Sequence, residues 1–197
     1  LTNNINSPEY WDAQYKAEYA RGVRRVATER WNLVVDKIKE GDMVLDVGCG
    51  LCDFLGYLKE KKQTVRYGFD ISKFALSKSL EADNTLRLFS SYDKLNDHKY
   101  NLISIQHVLE HVDNPDTFLK DYLDLLAEGG ILAVAIPIDD AEWREHTNVW
   151  QVSDLKELLD KLGCTYEIKL IPRTIQLEKD TKAGKQSMEA IAFVKRK

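Results

Sequence analysis

The feature that most restricts the fold of this chain is an alternation running from residue 43 to residue 137, in which short apolar runs are separated by stretches with helical spacing. MVLDV (43–47), VRYGFD (65–70), TLRLF (85–89), YNLISIQ (100–106) and GILAVAIP (130–137) read as strands. Helical patterns over 52–61, 72–82 and 115–127 lie between them. Parallel neighbours need a crossover and a helix supplies it, so the pattern predicts βαβ units and a parallel sheet. The short connection from Phe89 to Tyr100 is the least regular step.

The flanks extend this reading. Ser7 before Pro8 is a helix cap with proline in the first turn, and Tyr10, Trp11, Tyr15 and Tyr19 recur along the helix that follows. Gly22 breaks it. A second helix over 23–39 places Val26, Trp31, Val34 and Ile38 at helical spacing and stops at Gly41. Near the other end, SDLKELLDKLG reads as a helix with Ser153 as N-cap and Gly163 past its end. TYEIKLIP (165–172) and MEAIAFVK (188–195) then read as strands joined by a polar loop, an antiparallel hairpin at the sheet edge. The expected fold class is α/β: a doubly wound, mostly parallel seven-stranded sheet with an antiparallel C-terminal hairpin and N-terminal helices. Residues 1–40 are expected to form a helical lid within the same domain, and 41–197 a Rossmann-like domain.

Composition narrows the partners. At 197 residues with 44% hydrophobic side chains, the chain suits one domain with its own core. A net charge of -4 disfavours nucleic acid, whose binders usually carry a basic excess. No window approaches the roughly 20 apolar residues of a membrane span, and LTNNINSPEY lacks the regions of a signal peptide. Cys49, Cys52 and Cys164 are an odd number in a chain that needs no staples, which fits a reducing compartment. The expectation is a cytoplasmic monomer or homodimer. Leu1 stands where a start methionine would, so an upstream segment is expected to have been trimmed.

Open α/β sheets bind ligands beyond the carboxyl ends of their strands, at the point where the strand order reverses. The first such end is VLDVGCGLCDF, with Asp46, Gly48 and Gly50 on the turn into a helix; the second, YGFDIS, ends in Asp70. Glycines allow close backbone approach, and an acid at the second strand end can accept ribose hydroxyls. A nicotinamide dinucleotide would want a third glycine where Asp53 stands, and that acid would repel a pyrophosphate. Asp46 and Asp53 favour a ligand carrying an ammonium or sulfonium group. The Cys49/Cys52 pair reads as small residues in a glycine turn rather than half of a zinc site, which would need further ligands.

Together VLDVGCG, YGFDIS, YNLISIQHVLEHV and EGGILAVAIP resemble the class I S-adenosylmethionine-dependent methyltransferases, from Met43 to Pro137 and on towards the C-terminus. The resemblance implies that Asp46, Gly48 and Gly50, with Cys49 between them, surround the methionine moiety, and that Asp70 binds the ribose. It further implies Ile71 against the adenine, with Ser91 and Tyr92 at its edge, and Gln106 at the cofactor side of the fourth strand. The family's usual third glycine is Cys52 here. Tyr10, Trp11 and Tyr15 are expected to cover the cofactor or line an acceptor pocket. Arg21, Arg24 and Arg25 are candidates for the methionine carboxylate or an anionic acceptor, although a solvated helix face explains them better. Trp143, Trp150 and His146 are candidates for a substrate wall.

Three of the chain's four histidines, His107, His111 and His146, fall near this site. If a helical turn starts at His107, it and His111 lie one turn apart with Glu110 beside them. HVLEH matches the HxxEH signature of a metallohydrolase, but Asn114 and Pro115 end the segment before the long helix that signature needs. It also resembles the ExxEH of methyltransferase branches that hold a divalent metal, which makes His107, Glu110, His111 and His146 a candidate metal set. His107 or His111 is the candidate general base, because imidazole titrates near neutrality. The function expected is transfer of a methyl group from S-adenosylmethionine to a hydroxyl oxygen of a small-molecule acceptor. The alternatives are a metal-dependent methyltransferase acting on RNA 3′ ends or another macromolecule, a metallohydrolase using the HxxEH cluster, and a fold relative that binds the cofactor, or nothing, without catalysis.

Overall fold

The computed structural model describes residues 7–140, 146–173 and 187–197. Its strands are β1 (Met43–Val47), β2 (Val65–Phe69), β3 (Arg87–Phe89), β4 (Tyr100–Gln106), β5 (Leu126–Ile138), β6 (Thr165–Pro172) and β7 (Met188–Lys195). Among the described residues these form one seven-stranded sheet in the order β3-β2-β1-β4-β5-β7-β6. The first five strands pair in parallel, and β7 lies antiparallel to both β5 and β6. This is the expected doubly wound sheet with its closing hairpin.

The helices are α1 (Pro8–Ala20), α2 (Thr28–Val35), α3 (Asp53–Lys61), α4 (Lys73–Ala82), α5 (Pro115–Asp124) and α6 (Val152–Lys161). Successive strand residues point to opposite faces, so neighbours along one strand enter different cores. Leu45, Val47, Ile103 and Ile105 pack beneath α5 and α6, whereas Val44, Leu102 and Ile191 meet α2 and α3. From α2, Trp31 and Val34 bury into the second core, at about 1.5–3 kcal/mol for each large side chain removed from water. The parallel register pairs Val47 with Phe69 and with Ile105, so β1, β2 and β4 end at one level. That level is the switch point of the sheet.

Several boundaries differ from the sequence reading, among them the end of α5, at Asp124 rather than at 127. α2 is shorter than the expected 23–39 because the chain before it is drawn to the start of α3: Asp53 accepts from the Arg25 backbone at 3.0 Å and from Arg24 at 3.4 Å. β3 begins at Arg87 rather than at 85. β5 starts earlier than 130, since the Gly129–Gly130 pair permits a register break between Tyr100 and Leu102 that lets Leu126 pair as well. A Cβ on Gly130 would lie 2.9 Å from the Tyr100 carbonyl oxygen, so only glycine fits there. At α6 the N-cap is Gln151, whose backbone N–H donates to Asp154 at 2.8 Å, and Ser153 lies inside the helix. Ser7 does cap α1, accepting from the Tyr10 N–H at 3.2 Å. No helix of the described residues is long and apolar enough to cross a membrane.

Candidate active site

Past β1 the chain turns through Gly48, Cys49 and Gly50 into α3, with the Gly48 and Cys49 N–H groups both donating to the Phe69 carbonyl at the tip of β2. Gly48 and Gly50 have φ of 69° and 51°, in the left-handed region that glycine occupies without cost. Their bareness also makes room. A Cβ on Gly48 would stand 2.3 Å from Val108 Cγ2, and one on Gly50 would stand 2.6 Å from the Tyr15 hydroxyl. Cys52, at the place of the third glycine, has φ 58°, a conformation that costs an L-residue roughly 1–2 kcal/mol. Gly48→Ala is expected to lose about 2–4 kcal/mol in urea unfolding, from backbone strain and overpacking. Val108→Ala in the same chain should recover part of it; strictly additive losses would mean that Val108 is not the obstacle.

Two acids occupy the strand tips. Asp70, buried, accepts from the Gly50 N–H at 2.7 Å on one oxygen and from the Ser72 N–H at 2.8 Å on the other, which holds it across the mouth of the glycine turn. Burial raises its pKa against the lowering effect of those two bonds. Asp46, also buried, is pushed up to about 7, chiefly by burial and opposed by its bond with Ser104. A carboxylate so poorly solvated is stabilised by any cation placed beside it. Glycines that bring bare backbone forward, with an acid on either side, fit a ligand bearing ribose hydroxyls and a positive charge. Ile71 follows Asp70 and is half-buried.

α1 lies over this mouth. Asp12 accepts from the Ser72 hydroxyl at 2.6 Å and from the Phe74 N–H at 3.1 Å, while Tyr15 is buried against Gly50. Tyr10 packs edge-on to Trp11 at 5.6 Å, and Trp11 in turn meets His111 at 5.3 Å. Ser91 is exposed and precedes a 3-10 turn, Tyr92–Leu95, in which the Tyr92 hydroxyl donates to the Asp121 carbonyl on α5. Arg24 and Arg25 are engaged with Asp53 and Glu18. Trp150 belongs to the core beneath α5 and α6, and Trp143 lies outside the described residues. Cys49, Cys52 and Cys164 are free thiols, and the Cys49 thiol is raised by its hydrogen bond with Cys52 and by burial.

The histidines are arranged differently from a single helical turn. His107 leaves β4 with φ 55°, and the following 3-10 turn spans only Leu109–His111. The long helix of an HxxEH hydrolase is therefore not formed. The His107 ring is held between two acids, with Nε2 2.7 Å from Glu189 and Nδ1 3.2 Å from Glu110. The second contact is at ion-pair distance but off the line of a hydrogen bond, and neither buried Glu110 oxygen has a hydrogen-bond partner. Even so, His107 and His111 hold the Glu110 carboxyl below its ordinary range against the opposing effect of burial.

His146 reaches this acid from a distant segment. The Glu110 carbonyl accepts from the Thr147 and Asn148 N–H groups at 2.9 and 3.1 Å, and Asn148 Nδ2 donates to the Val112 carbonyl at 2.7 Å. His146 Nδ1 stands 2.9 Å from the Asp140 carbonyl, which can only accept, so Nδ1 carries the proton. In the neutral ring Nε2 then presents a lone pair to Glu110, 3.9 Å away. Ligand atoms of Glu110, His111 and His146 all lie within 4.8 Å of one another. The structure brings these three together, while His107 faces Glu110 and Glu189.

Two residues that the sequence reading did not single out join the site. Arg30 on α2 donates to Gln106 Oε1 at 2.8 Å and to Glu189 at 2.5 Å, and Gln106 donates to the Ser104 hydroxyl at 2.7 Å. Gln106 is thus tied to the Asp46 side of the site through Ser104. The available signal was Glu189 itself, a charge at the second place of the otherwise apolar run MEAIAFV.

The comparisons with known proteins agree with this geometry. The profile of the methyltransferase-domain family matches residues 11–167. A search of curated proteins gave no match. Among solved structures, the chain is similar to one from the complex of the Haloferax volcanii Trm112 methyltransferase activator with a methyltransferase, at TM-score 0.73 and 15% identity over 99% of each chain. It is also similar to the plantazolicin methyltransferase BpumL, solved with a substrate analogue and S-adenosylhomocysteine, at TM-score 0.70 and 14% identity over 96% and 95% of the two chains. A TehB-like methyltransferase from Corynebacterium glutamicum aligns at TM-score 0.66 and 17% identity over 96% and 98%. At these identities the structures speak for the fold, and the family match, which takes in the glycine turn, both strand-tip acids and the histidine segment, carries the rest: the chain belongs to the methyltransferase-domain family and is a class I S-adenosylmethionine-dependent methyltransferase.

Proposed function

We propose that this methyltransferase acts on a hydroxyl oxygen of a small-molecule acceptor, with His111 as the base. S-adenosylmethionine supplies an electrophilic methyl on a sulfonium. Asp70 would accept the ribose hydroxyls, Asp46 would face the cationic end, and α1 would close over both as a lid. Alignment alone is worth about 7–11 kcal/mol in well-oriented reactions, so residues that hold two ligands in line do much of the catalysis. His111 is favoured because it stands with Glu110 and His146 and against Trp11 of α1.

The observation that carries the reading is the cluster of Glu110, His111 and His146 beside the glycine turn, with Trp11 against it. A buried carboxylate without a hydrogen-bond partner, with His146 Nε2 3.9 Å away, can take a hydroxyl proton or a cation between them. In place of a base, these three residues would fit a divalent cation, with His111 then a ligand. One oxygen and two nitrogen donors suit zinc, manganese or iron, and a bound ion would lower the pKa of a coordinated hydroxyl. An oxygen acceptor is consistent with either occupant, and the acidic net charge of -4 favours a small molecule over RNA.

The test is calorimetry with S-adenosylhomocysteine after chelator treatment, followed by zinc or manganese addition. Micromolar cofactor binding and a separate metal isotherm, lost in Glu110→Ala, are expected. No metal isotherm would leave Glu110 and His146 to a hydroxyl alone. Once an acceptor is found, His111→Ala should lower turnover by 100-fold or more, within the range of general base contributions, with cofactor affinity within a few-fold of the parent. Normal turnover in that variant would remove His111 from the mechanism.

A further inference from the structure

Glu189 is a carboxylate on β7 whose side chain is only 3% exposed, and its two partners both come from other parts of the fold. One Glu189 oxygen accepts from Arg30 at 2.5 Å and lies 2.7 Å from His107 Nε2. The same Arg30 guanidinium reaches Gln106, so one cation ties both residues at the tip of β4, Gln106 directly and His107 through Glu189. From Gln106 the contacts run through Ser104 to Asp46; from His107 they run to Glu110. The chain of polar contacts therefore spans the site from the cofactor turn to the histidine cluster.

A buried ion pair that served only the core would be no better than apolar packing, because desolvation offsets its attraction. Here the carboxylate takes the imidazole nitrogen that points away from the cluster. An ionised carboxylate can only accept, so the nitrogen that meets Glu189 donates to it, while the opposite nitrogen faces Glu110. The left-handed backbone at His107 is what turns the ring into this slot. We infer that Glu189, held by Arg30, is a positioning residue of this methyltransferase: it fixes the His107 ring with Nε2 bearing a proton and Nδ1 towards Glu110, and so sets where the Glu110 carboxylate stands opposite His111 and His146. The functional weight of that placement rests on the reading of the cluster given above.

The test needs no acceptor. Two-bond proton–nitrogen correlations of the imidazole rings, recorded on the full chain at one fixed pH, report which nitrogen of each histidine carries the proton. In the parent, His107 Nε2 should carry a proton donated to Glu189. Glu189→Gln keeps the volume and removes the charge, and it should move the His107 pattern, with His111 and His146 moving alongside. His98, which packs on Tyr67 and Tyr100 at the other end of β4, should stay put and serves as the internal control. Glu189→Asp keeps a charge for Arg30 but withdraws the oxygen from His107, and should also move its pattern.

An unmoved His107 pattern in whichever variant folds overturns the inference, and so does a change of equal size at His98. Zinc titration gives a separate reading, because partners that orient a metal ligand typically contribute 10–100-fold to affinity, and Glu189→Gln should weaken zinc by that factor. If the parent binds no zinc, the metal reading fails while the imidazole spectra still decide the role of Glu189.

Discussion

Asp70→Ala is expected to weaken S-adenosylhomocysteine by 100-fold or more in calorimetry. Hydrogen bonds to a charged group are worth about 1.5–3 kcal/mol each, and two ribose hydroxyls would lose their acceptor together. The variant should also lose stability, because the amides of Gly50 and Ser72 would both be left without their carboxylate acceptor, at about 1–3 kcal/mol apiece. Relief of a carboxyl that burial destabilises offsets part of that loss. Asp70→Asn separates the effects, since its amide retains one oxygen acceptor for one of the two N–H groups. Affinity within threefold of the parent in the alanine variant would mean that the ribose lies elsewhere.

The second large effect concerns Asp46 and pH. Its carboxyl sits at about 7 in the folded protein against an ordinary value of 3.8, a difference of about 4 kcal/mol between the two protonation states. The folded protein holds a proton that the unfolded chain has released, so this group makes stability fall as pH rises from about 4 to about 7, with no further loss above. Asp46→Asn should flatten that slope in urea unfolding at a series of pH values and be more stable than the parent at pH ~8 by roughly 1–3 kcal/mol; the amide still needs a partner for its N–H groups. Cofactor affinity should behave in the opposite sense, because a cationic ligand favours the ionised carboxylate: binding tightens from pH ~6 to pH ~8 in the parent and becomes flat in the variant. A parent whose stability and affinity are both level across this range would show that Asp46 is ionised throughout.

The parts of the site that were legible in the sequence are those that local structure alone produces. Gly48, Gly50 and Asp46 share one strand-to-helix turn, and Asp70 ends the neighbouring strand, so reading the strands correctly brings them together. Glu110 and His111 sit in one short turn and were visible for the same reason. Misread features lie where distant segments compete with local propensity. The pattern over 23–39 is helical throughout, yet the Asp53 bonds to Arg24 and Arg25 hold its first residues outside α2. His107 and His111 looked one helical turn apart, but the left-handed backbone at His107 breaks that geometry and turns the ring onto Glu189, 82 residues later.

By itself, then, the sequence determined the class of fold, the order of its helices and strands, and the glycine turn. These follow from the two-residue and 3.6-residue periods of apolar side chains and from glycines where the backbone must turn back, all properties of contiguous residues. Only the tertiary structure decided which histidine joins Glu110. His146 arrives because the Thr147 and Asn148 amides bind the Glu110 carbonyl, and His107 is held between Glu110 and Glu189 because Glu189 and Arg30 meet it from β7 and α2. Side chains far apart in the chain meet only when the sheet closes, and the partner that a buried charge needs carries no signature in the residues next to it.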